Sequence, residues 1–300
     1  GFTPPRRIRI LFGTNEETGC DDMAWYLAHG GETPVMGFTP DGEYPIINGE
    51  KGIMNCVYSR RLEQTGPCRL LRFEGGTAAN VSPAYAMAEL ACPADAAARI
   101  QASKVTVTPI EGGIRVEAQG VSVHGSTPEQ GENAIGRLAL ALTQLPLEGE
   151  LADCMAFLAG RIGMETHGES LGLAMRDDLS GDLTVNLGVA AFAEETLSLT
   201  LSVRYPVTKT YDGAHPRMER AFALGGFHET KMKHKAAIYM PPESELIRKL
   251  SQVYEEQTGE KAVLKSIGGG TYAKSIPNLV AFGPIFPGDE IREHKPDEYM

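Results

Sequence analysis

The chain has 300 residues, of which 42% are hydrophobic and 22% are charged, and this is typical of a soluble globular protein with room for two domains and a substantial core. The formal net charge of −11 argues against a nucleic-acid partner, because binding to phosphates needs a basic surface. No apolar run approaches the roughly 18 residues of a membrane-spanning helix, so no membrane partner is expected.

The first fifty residues follow an α/β pattern. The apolar run at residues 8–12 predicts a strand over 7–13, and a helix is predicted from Asp21 to His29, where Gly30-Gly31 ends it. Between them lies a turn with two adjacent carboxylates, Glu16 and Glu17. Such pairs are usually solvated surface, but a strand-to-helix turn is also where open α/β sheets bind their ligands.

A second acidic turn follows the predicted helix. The sequence Pro40-Asp41-Gly42 has the residue types of a tight turn, which places Asp41 on an exposed corner.

From about residue 50 to residue 240 the pattern changes to α+β. Strands are predicted over Lys104–Ile110 and Gly113–Ala118, and a helix over Asn133–Leu145. Residues Leu197–Tyr205 alternate strictly, which predicts a strand with a buried Leu/Val face and a polar face that includes Arg204. Two α+β units, around 68–145 and 182–240, are expected.

After Pro241-Pro242 the α/β pattern returns. A helix is predicted near Ser244–Thr258, followed by the glycine run Gly268-Gly269-Gly270 and a short strand over Leu279–Phe282. The expected architecture is an α/β domain, with a mostly parallel sheet and flanking helices, formed by residues 1–50 and 241–300. An inserted α+β domain formed by residues 51–240 interrupts it.

The cysteines indicate a reducing compartment. There are five, an odd number, and they are widely spaced with no C-x-x-C pair: Cys20, Cys56, Cys68, Cys92 and Cys154. A cytoplasmic location is therefore predicted. The chain starts with Gly-Phe-Thr-Pro-Pro rather than Met, and we expect the natural protein to begin before residue 1.

Three turn residues outside the insertion form a candidate metal-ligand set. Glu17, Asp41 and His294 together offer oxygen and nitrogen donors, which suit zinc, manganese or cobalt better than magnesium. Taken alone, His294 is a surface histidine near a chain end. Glu16, next to a ligand, is placed to act as general base on water.

Several motifs, in this order along the chain, resemble those of one family. They are Gly-Thr-Asn-Glu-Glu-Thr-Gly-Cys at 13–20, Gly-Phe-Thr-Pro-Asp with Tyr-Pro at 37–45, Asn-Gly-Glu-Lys-Gly at 48–52, Glu-Gly-Gly-Thr-Ala-Ala-Asn-Val at 74–81, Val-His-Gly-Ser at 123–126, Gly-Gly-Gly-Thr-Tyr-Ala at 268–273 and His294. The chain resembles the PepV-type dipeptidases. These belong to the dinuclear-zinc peptidases that also include carnosinases, aminoacylases and glutamate carboxypeptidases.

The resemblance implies a role for each candidate residue. Glu16 is the expected general base, and Glu17, Asp41 and His294 are expected zinc ligands. His124, presented by an inserted lid domain, is expected to stabilise the oxyanion. The substrate is expected to be held by Arg204 at its C-terminal carboxylate, by Asn80, and by the backbone of Gly268, Gly269 and Gly270. A complete site of this family holds two zinc ions, which Mn²⁺ or Co²⁺ could replace.

The chain departs from the family pattern in one respect. The upstream His-x-Asp motif and the later bridging Asp of the family do not occur in it. We therefore expect an internal piece of a longer enzyme that offers at most three of five metal ligands and is inactive by itself.

The expected function is metal-dependent hydrolysis of dipeptides by a monomer whose partner is a small peptide substrate. Deacylation of N-acyl amino acids and carboxypeptidase activity are the alternatives within the family. A non-catalytic interaction module that lacks a complete metal centre is the alternative outside it.

Overall fold

The computed structural model describes residues 4–16, 19–93 and 95–290, and it divides the chain into two compact units. Unit 1 comprises Gly1–Glu50 and Tyr239–Met300, and unit 2 comprises Lys51–Ile238. Among the helices described, none is long and apolar enough to cross a membrane.

The described elements are five α-helices and fifteen strands. The helices are α1 (Asp21–Ala28), α2 (Ala134–Leu142), α3 (Gly149–Phe157), α4 (Tyr211–Leu224) and α5 (Glu245–Thr258). The strands are β1 (Gly37–Thr39), β2 (Ile46–Glu50), β3 (Gly52–Arg61), β4 (Arg69–Gly75), β5 (Tyr85–Ala91), β6 (Val105–Ile110), β7 (Gly113–Gln119), β8 (Arg176–Asp177), β9 (Gly181–Asp182), β10 (Thr184–Ala193), β11 (Thr196–Tyr205), β12 (His228–Lys235), β13 (Ile238–Tyr239), β14 (Leu264–Ile267) and β15 (Leu279–Ala281).

Unit 1 is built on a mixed five-stranded sheet. The main strand order is β1-β15-β2-β13, and β14 also pairs with β2. Strands β1 and β15 are parallel, as are β14 and β2, whereas β15 and β2 are antiparallel. Helix α5 buries Leu246, Ile247 and Leu250 in one cluster with Ile46 and Val280 of the sheet. The α/β character is confirmed, and parallel pairings predominate among those described, with one antiparallel pairing between β15 and β2.

The predicted strand over residues 7–13 is wrong. These residues form no strand, and the exposed fractions of Ile8, Ile10 and Phe12 are 69%, 72% and 92%. An apolar run becomes a strand only where a neighbouring strand accepts its backbone hydrogen bonds, and none of the described strands pairs with this run. The helix predicted after it is confirmed as α1.

Unit 2 contains an eight-stranded sheet with the order β12-β3-β11-β10-β4-β5-β7-β6. The strands predicted near Lys104–Ile110, Gly113–Ala118 and Leu197–Tyr205 are confirmed as β6, β7 and β11. The two predicted α+β units are halves of this one sheet, because β10 pairs with β4 from Ala190↔Gly75 to Phe192↔Phe73.

Helix α2 covers one face of the unit 2 sheet. It begins where the Asn133 side chain accepts hydrogen bonds from the backbone N–H groups of Ile135 and Gly136, at 2.9 and 3.2 Å. Its apolar residues Ile135, Leu138 and Leu142 are fully buried in the core cluster of this unit. The helix predicted over Asn133–Leu145 is thus confirmed, with its buried face set by the apolar spacing.

Strand β11 is buried on both faces at its carboxyl end. The apolar face follows the prediction, with Leu197, Leu199 and Leu201 inaccessible to solvent. On the polar face, however, Ser202 and Arg204 are also buried, at 0% and 4% exposure. Arg204 is therefore not the solvent-side residue that alternation alone predicts.

A disulfide joins Cys68, next to the start of β4, to Cys92, just after the end of β5. The cysteine spacing did not predict this pair. The other three cysteines are buried, and burial raises the pKa of the Cys56 and Cys154 thiols to about 12. Buried thiols with raised pKa values are poor nucleophiles, so these cysteines do not suit covalent catalysis.

Candidate active site

The acidic turn at 13–20 is held by the carboxylate of Asp22. Its Oδ2 accepts hydrogen bonds from the backbone N–H groups of Thr14 and Asn15, at 2.7 and 3.1 Å, and from the Tyr272 hydroxyl at 2.9 Å. Burial acts to raise the pKa of Asp22, but these hydrogen bonds outweigh it and lower the pKa. Because Tyr272 follows the glycine run at 268–270, the contact links two motifs that are 250 residues apart.

Backbone hydrogen bonds also hold Asn15 and Glu16. The Glu16 carbonyl accepts a hydrogen bond from Gly19 N–H at 3.3 Å, and the Asn15 carbonyl accepts one from Cys20 N–H at 2.8 Å. The Glu16 side chain is half-buried. Glu17, the predicted ligand beside it, lies outside the described residues.

Asp41 is an exposed residue in the turn that follows β1, as predicted. A hydrogen bond from the Ile285 N–H to the Gly42 carbonyl, at 3.1 Å, anchors this turn to a distant segment of unit 1. His294 lies in the part of the chain that the structure does not describe, so Asp41 is the only one of the three predicted metal ligands whose position is described.

The charge of Asp41 acts on a second acidic side chain. Burial is the main cause that raises the pKa of the nearby Glu50 carboxyl, and the negative charge of Asp41 raises it further. Carboxylate oxygens such as those of Asp41 are suitable ligands for zinc.

A buried carboxylate, Glu50, anchors the end of the glycine run. Glu50 is fully buried at the end of β2, and its oxygens accept hydrogen bonds from the Thr271 N–H and hydroxyl at 3.1 and 2.8 Å. Lys274 Nζ lies 3.9 Å from the same carboxylate. Glu50 is not among the predicted site residues, although its position three residues after the apolar pair Ile46-Ile47 is a signal that could have found it.

The packing around Gly269 does not by itself require a glycine at this position. A Cβ built at Gly269 would have its nearest contact with Ile267 Cδ1, at 3.4 Å, which is an ordinary packing distance. Local packing therefore leaves room for a side chain, and a close approach of bound substrate remains a reason for glycine at this position.

In unit 2 the structure brings the segments of Asn80 and His124 together. Val81 and His124 form an isolated antiparallel bridge, and Gly125 N–H donates to the Asn80 carbonyl at 2.7 Å. Both side chains are exposed, and His124 Nδ1 lies 2.6 Å from the Ser126 hydroxyl. The two predicted site residues are thus neighbours across a short backbone contact.

The loop that carries Asn80 is fastened to β10. The Asn186 amide donates to the Ala79 carbonyl at 2.8 Å, and its oxygen accepts from the Ser82 hydroxyl at 2.7 Å. A Cβ at Gly188 would lie 2.4 Å from the Ala78 carbonyl oxygen, so only glycine permits this close approach.

Arg204 lies on β11, opposite Thr184 of β10 and Ile53 of β3. Burial lowers the pKa of its guanidinium to about 10, so Arg204 remains charged at neutral pH. A charge with little water around it interacts more strongly with an incoming anion, because the local dielectric constant is low.

Two buried hydroxyl groups lie on the same strands as Arg204. Thr184 Oγ1 and Ser202 Oγ have no hydrogen-bond partner among the described residues. Thr184 is the cross-strand neighbour of Arg204. Ser202 precedes Arg204 by two residues on β11, so the two side chains lie on the same face of the strand. Neither hydroxyl is among the predicted site residues, although the polar alternation of β11 is a signal for Ser202.

The comparisons with known proteins identify the family. The model of peptidase family M20/M25/M40 matches residues 1–300. "Putative dipeptidase YtjP" of Bacillus subtilis is 34% identical over 309 residues, which cover 98% of this chain and 65% of that protein. "Beta-Ala-Xaa dipeptidase" of Lactobacillus delbrueckii subsp. lactis is 32% identical over 310 residues, which cover 100% of this chain and 66% of that protein.

The chain thus spans about two thirds of the length of these relatives. Among solved structures, the aminoacylhistidine dipeptidase from Vibrio alginolyticus is similar over 83% of this chain and 58% of its own chain. The sequence identity is 10% and the TM-score is 0.45, so this similarity carries no argument here. The match of the family model and the identity to the two relatives confirm the resemblance that the ordered motifs indicate. The chain belongs to peptidase family M20/M25/M40.

Proposed function

We propose that the protein hydrolyses dipeptides in a metal-dependent reaction with Glu16 as the general base. The observation that carries the proposal is the buried guanidinium of Arg204 in a chain at least 32% identical to two proteins named as dipeptidases. A charged, desolvated guanidinium suits the free carboxylate at the end of a short peptide, since its planar donors match the two carboxylate oxygens.

The metal is proposed to be zinc, two ions in a complete site, with Mn²⁺ or Co²⁺ as substitutes. Glu17, Asp41 and His294 are the residues of this chain that would hold it. When bound, zinc lowers the pKa of water towards about 7 and polarises a carbonyl group.

The residues of the chain provide the proton transfers. In this proposal a Glu16 carboxylate oxygen accepts the proton of the attacking water and then passes it to the leaving amine nitrogen. The hydrogen bonds that hold Thr14, Asn15 and the Glu16 carbonyl support this role, because a general base must be held within hydrogen-bond reach of its proton.

His124 is proposed to stabilise the oxyanion. The Ser126 hydroxyl lies 2.6 Å from Nδ1, and if it donates its proton there, Nε2 carries the ring proton and can donate it to the oxyanion. Asn80, Arg204 and the buried Thr184 hydroxyl are proposed to bind the substrate carboxylate. The backbone of Gly268, Gly269 and Gly270 is proposed to approach the substrate.

Unit 2, which comprises Lys51–Ile238, is proposed to act as the lid domain that the sequence predicts over residues 51–240. Hinge motion near those residues would then accompany each turnover. A monomer and a cytoplasmic location complete the proposal. In a reducing cytoplasm Cys68 and Cys92 should be thiols. Reactive thiols can be counted in the denatured protein after rapid lysis of the cells in the presence of an alkylating agent. A count of five thiols supports a cytoplasmic location, whereas a count of three opposes it.

The test uses the full-length protein and three substrate classes. Hydrolysis of free dipeptides that is lost with a chelator and restored by Zn²⁺ supports the proposal. Faster hydrolysis of N-acetyl amino acids, or of longer peptides from the carboxyl end, would favour the deacylase or carboxypeptidase alternative. No hydrolysis of any of the three by the metal-loaded protein would favour the interaction module.

A further inference from the structure

A histidine and two glutamates meet on unit 2, between α4 and the edge strand β12. His215 and Glu219 are one helical turn apart on α4, which places them on the same side of the helix. Glu229 faces them from β12. The exposed fractions of the His215, Glu229 and Glu219 side chains are 12%, 20% and 54%, so the group is sheltered on one side and open to water on the other.

The spacing of the three side chains suits one metal ion. Ligand atoms from the three residues, one from each, all lie within 4.8 Å of one another. Donors bound at about 2.0–2.1 Å to a tetrahedral zinc lie about 3.3 Å apart. His215 Nε2 and Glu229 Oε2 are 2.8 Å apart, and His215 Nδ1 and Glu219 Oε2 are 3.7 Å apart. The two glutamates contact different ring nitrogens, so the exposed Glu219 side chain would have to turn towards Nε2 of His215 to share one ion with Glu229.

Neighbouring side chains hold the two sheltered members in place. The Tyr58 hydroxyl donates to Glu229 Oε2 at 3.1 Å, and the Tyr211 ring stacks on the His215 ring with centroids 4.7 Å apart. Hydrogen bonds to a ligating carboxylate and a fixed histidine ring are features of built metal sites rather than of mobile surface charges.

We propose that His215, Glu219 and Glu229 form a second divalent-cation site, with zinc as the favoured ion and water completing its coordination. None of the three residues is among those proposed to hold the catalytic metal. Because its ligands come from both α4 and β12, a bound ion would join a helix to the edge of the eight-stranded sheet and stabilise unit 2. A site of one imidazole and two carboxylates suits zinc, cobalt or manganese.

The test measures metal binding in the 300-residue chain with the double substitution Asp41→Asn and His294→Ala, which weakens the proposed catalytic site. Zn²⁺ binding is followed by calorimetry, and Co²⁺ binding by its visible absorption, which reports nitrogen and oxygen coordination. His215→Gln and Glu219→Gln are added one at a time. Tyr58→Phe removes only the hydrogen bond to Glu229, and His228→Gln, an exposed histidine next to Glu229 on β12, is the matched control.

We expect one equivalent of Zn²⁺ to bind the background chain and to raise its melting temperature. His215→Gln and Glu219→Gln should weaken binding at least 100-fold, Tyr58→Phe about tenfold, and His228→Gln not at all. Circular dichroism checks that each variant is folded. No uptake of Zn²⁺ by the folded background chain, or equal affinity in the His215 and Glu219 variants, would overturn the proposal. The group would then be explained by the contacts of His215 with the two carboxylates alone.

Discussion

The two units are stabilised in different ways. The core of unit 2 is a single cluster of 39 buried apolar residues beneath an eight-stranded sheet, whereas the corresponding cluster of unit 1 has seven, counted over the described residues. Glu16, the proposed general base, and Asp41, a proposed metal ligand, both belong to unit 1. The unit with the smaller core therefore contains the two turns that carry these residues proposed for catalysis, and polar contacts hold their described neighbours.

Those polar contacts connect residues that are far apart in sequence. The Asp22 carboxylate accepts a hydrogen bond from the Tyr272 hydroxyl, and the Glu50 carboxylate accepts one from the Thr271 hydroxyl. The segment that follows the glycine run is thereby fixed both to Asp22, next to the acidic turn, and to β2. In unit 2, by contrast, Arg204 lies on a strand whose position the apolar core already determines. We infer that polar substitutions disturb unit 1 locally and that unit 2 tolerates them better.

The largest effect on this comparison is expected from Glu50→Ala. The substitution leaves the charge of Lys274 buried without its carboxylate, which should lower the free energy of unfolding of unit 1 by about 3–5 kcal/mol. Chemical denaturation of the wild type and the variant measures the change.

Glu43→Gln is the matched control for that experiment. Glu43 pairs with Lys265 at 2.5 Å, but the two side chains are 43% and 33% exposed. The loss of this exposed ion pair should lower the free energy of unfolding by about 1 kcal/mol or less. Equal losses for Glu50→Ala and Glu43→Gln would show that the buried pair has no special role in unit 1.

A smaller, pH-dependent effect is expected in unit 2 from Asp177→Asn. Burial acts to raise the pKa of Asp177, but hydrogen bonds from the backbone and side chains of Thr208 and Ser180 outweigh it and lower the pKa to about 2. A lowered pKa in the folded state contributes stability that is present above the unfolded pKa, near 4, and is lost as the pH falls towards 2.

Asp177→Asn should therefore destabilise the protein by about 1–2 kcal/mol at pH 7, after allowance for partial exposure, and by less as the pH approaches 2. Unfolding curves of both proteins between pH 7 and pH 2 test this. A difference that stays constant over that range would contradict the role of the ionised carboxylate.

The smallest effect on stability is expected from Phe12→Ser. Phe12 is 92% exposed in a run of apolar residues, so its removal should change the free energy of unfolding by no more than about 0.5 kcal/mol while reducing aggregation. Phe73→Ser, at a fully buried position of β4, should cost at least about 3 kcal/mol. A loss above about 1 kcal/mol for Phe12→Ser would show that the run packs against other residues.

Local sequence patterns predicted the elements that depend on local physics. Alternation located β11, and the spacing of apolar residues together with Ser244, whose hydroxyl accepts from Ile247 N–H at 3.3 Å, located α5. The same reasoning failed for residues 7–13, since an apolar run indicates a strand but does not show whether a partner strand lies beside it.

The candidate site was predictable to a smaller extent. The ordered motifs selected Asn80 and His124, and the structure places their segments side by side. The contacts that fix the site span long stretches of chain, as between Asp22 and Tyr272 or Glu50 and Thr271, and no local pattern encodes them. The burial of Arg204 was likewise hidden, because alternation specifies two faces of a strand but not what covers each face.

In the proposed mechanism, Glu16 of unit 1 performs the proton transfer and Arg204 of unit 2 binds the substrate carboxylate. The most direct measurement is steady-state hydrolysis of a free dipeptide by full-length wild type, Glu16→Gln and Arg204→Lys, with the metal content of each determined in parallel. We predict that Glu16→Gln lowers kcat at least about 100-fold at unchanged metal content and that Arg204→Lys acts mainly by raising KM. An unchanged kcat in metal-loaded Glu16→Gln would contradict the account.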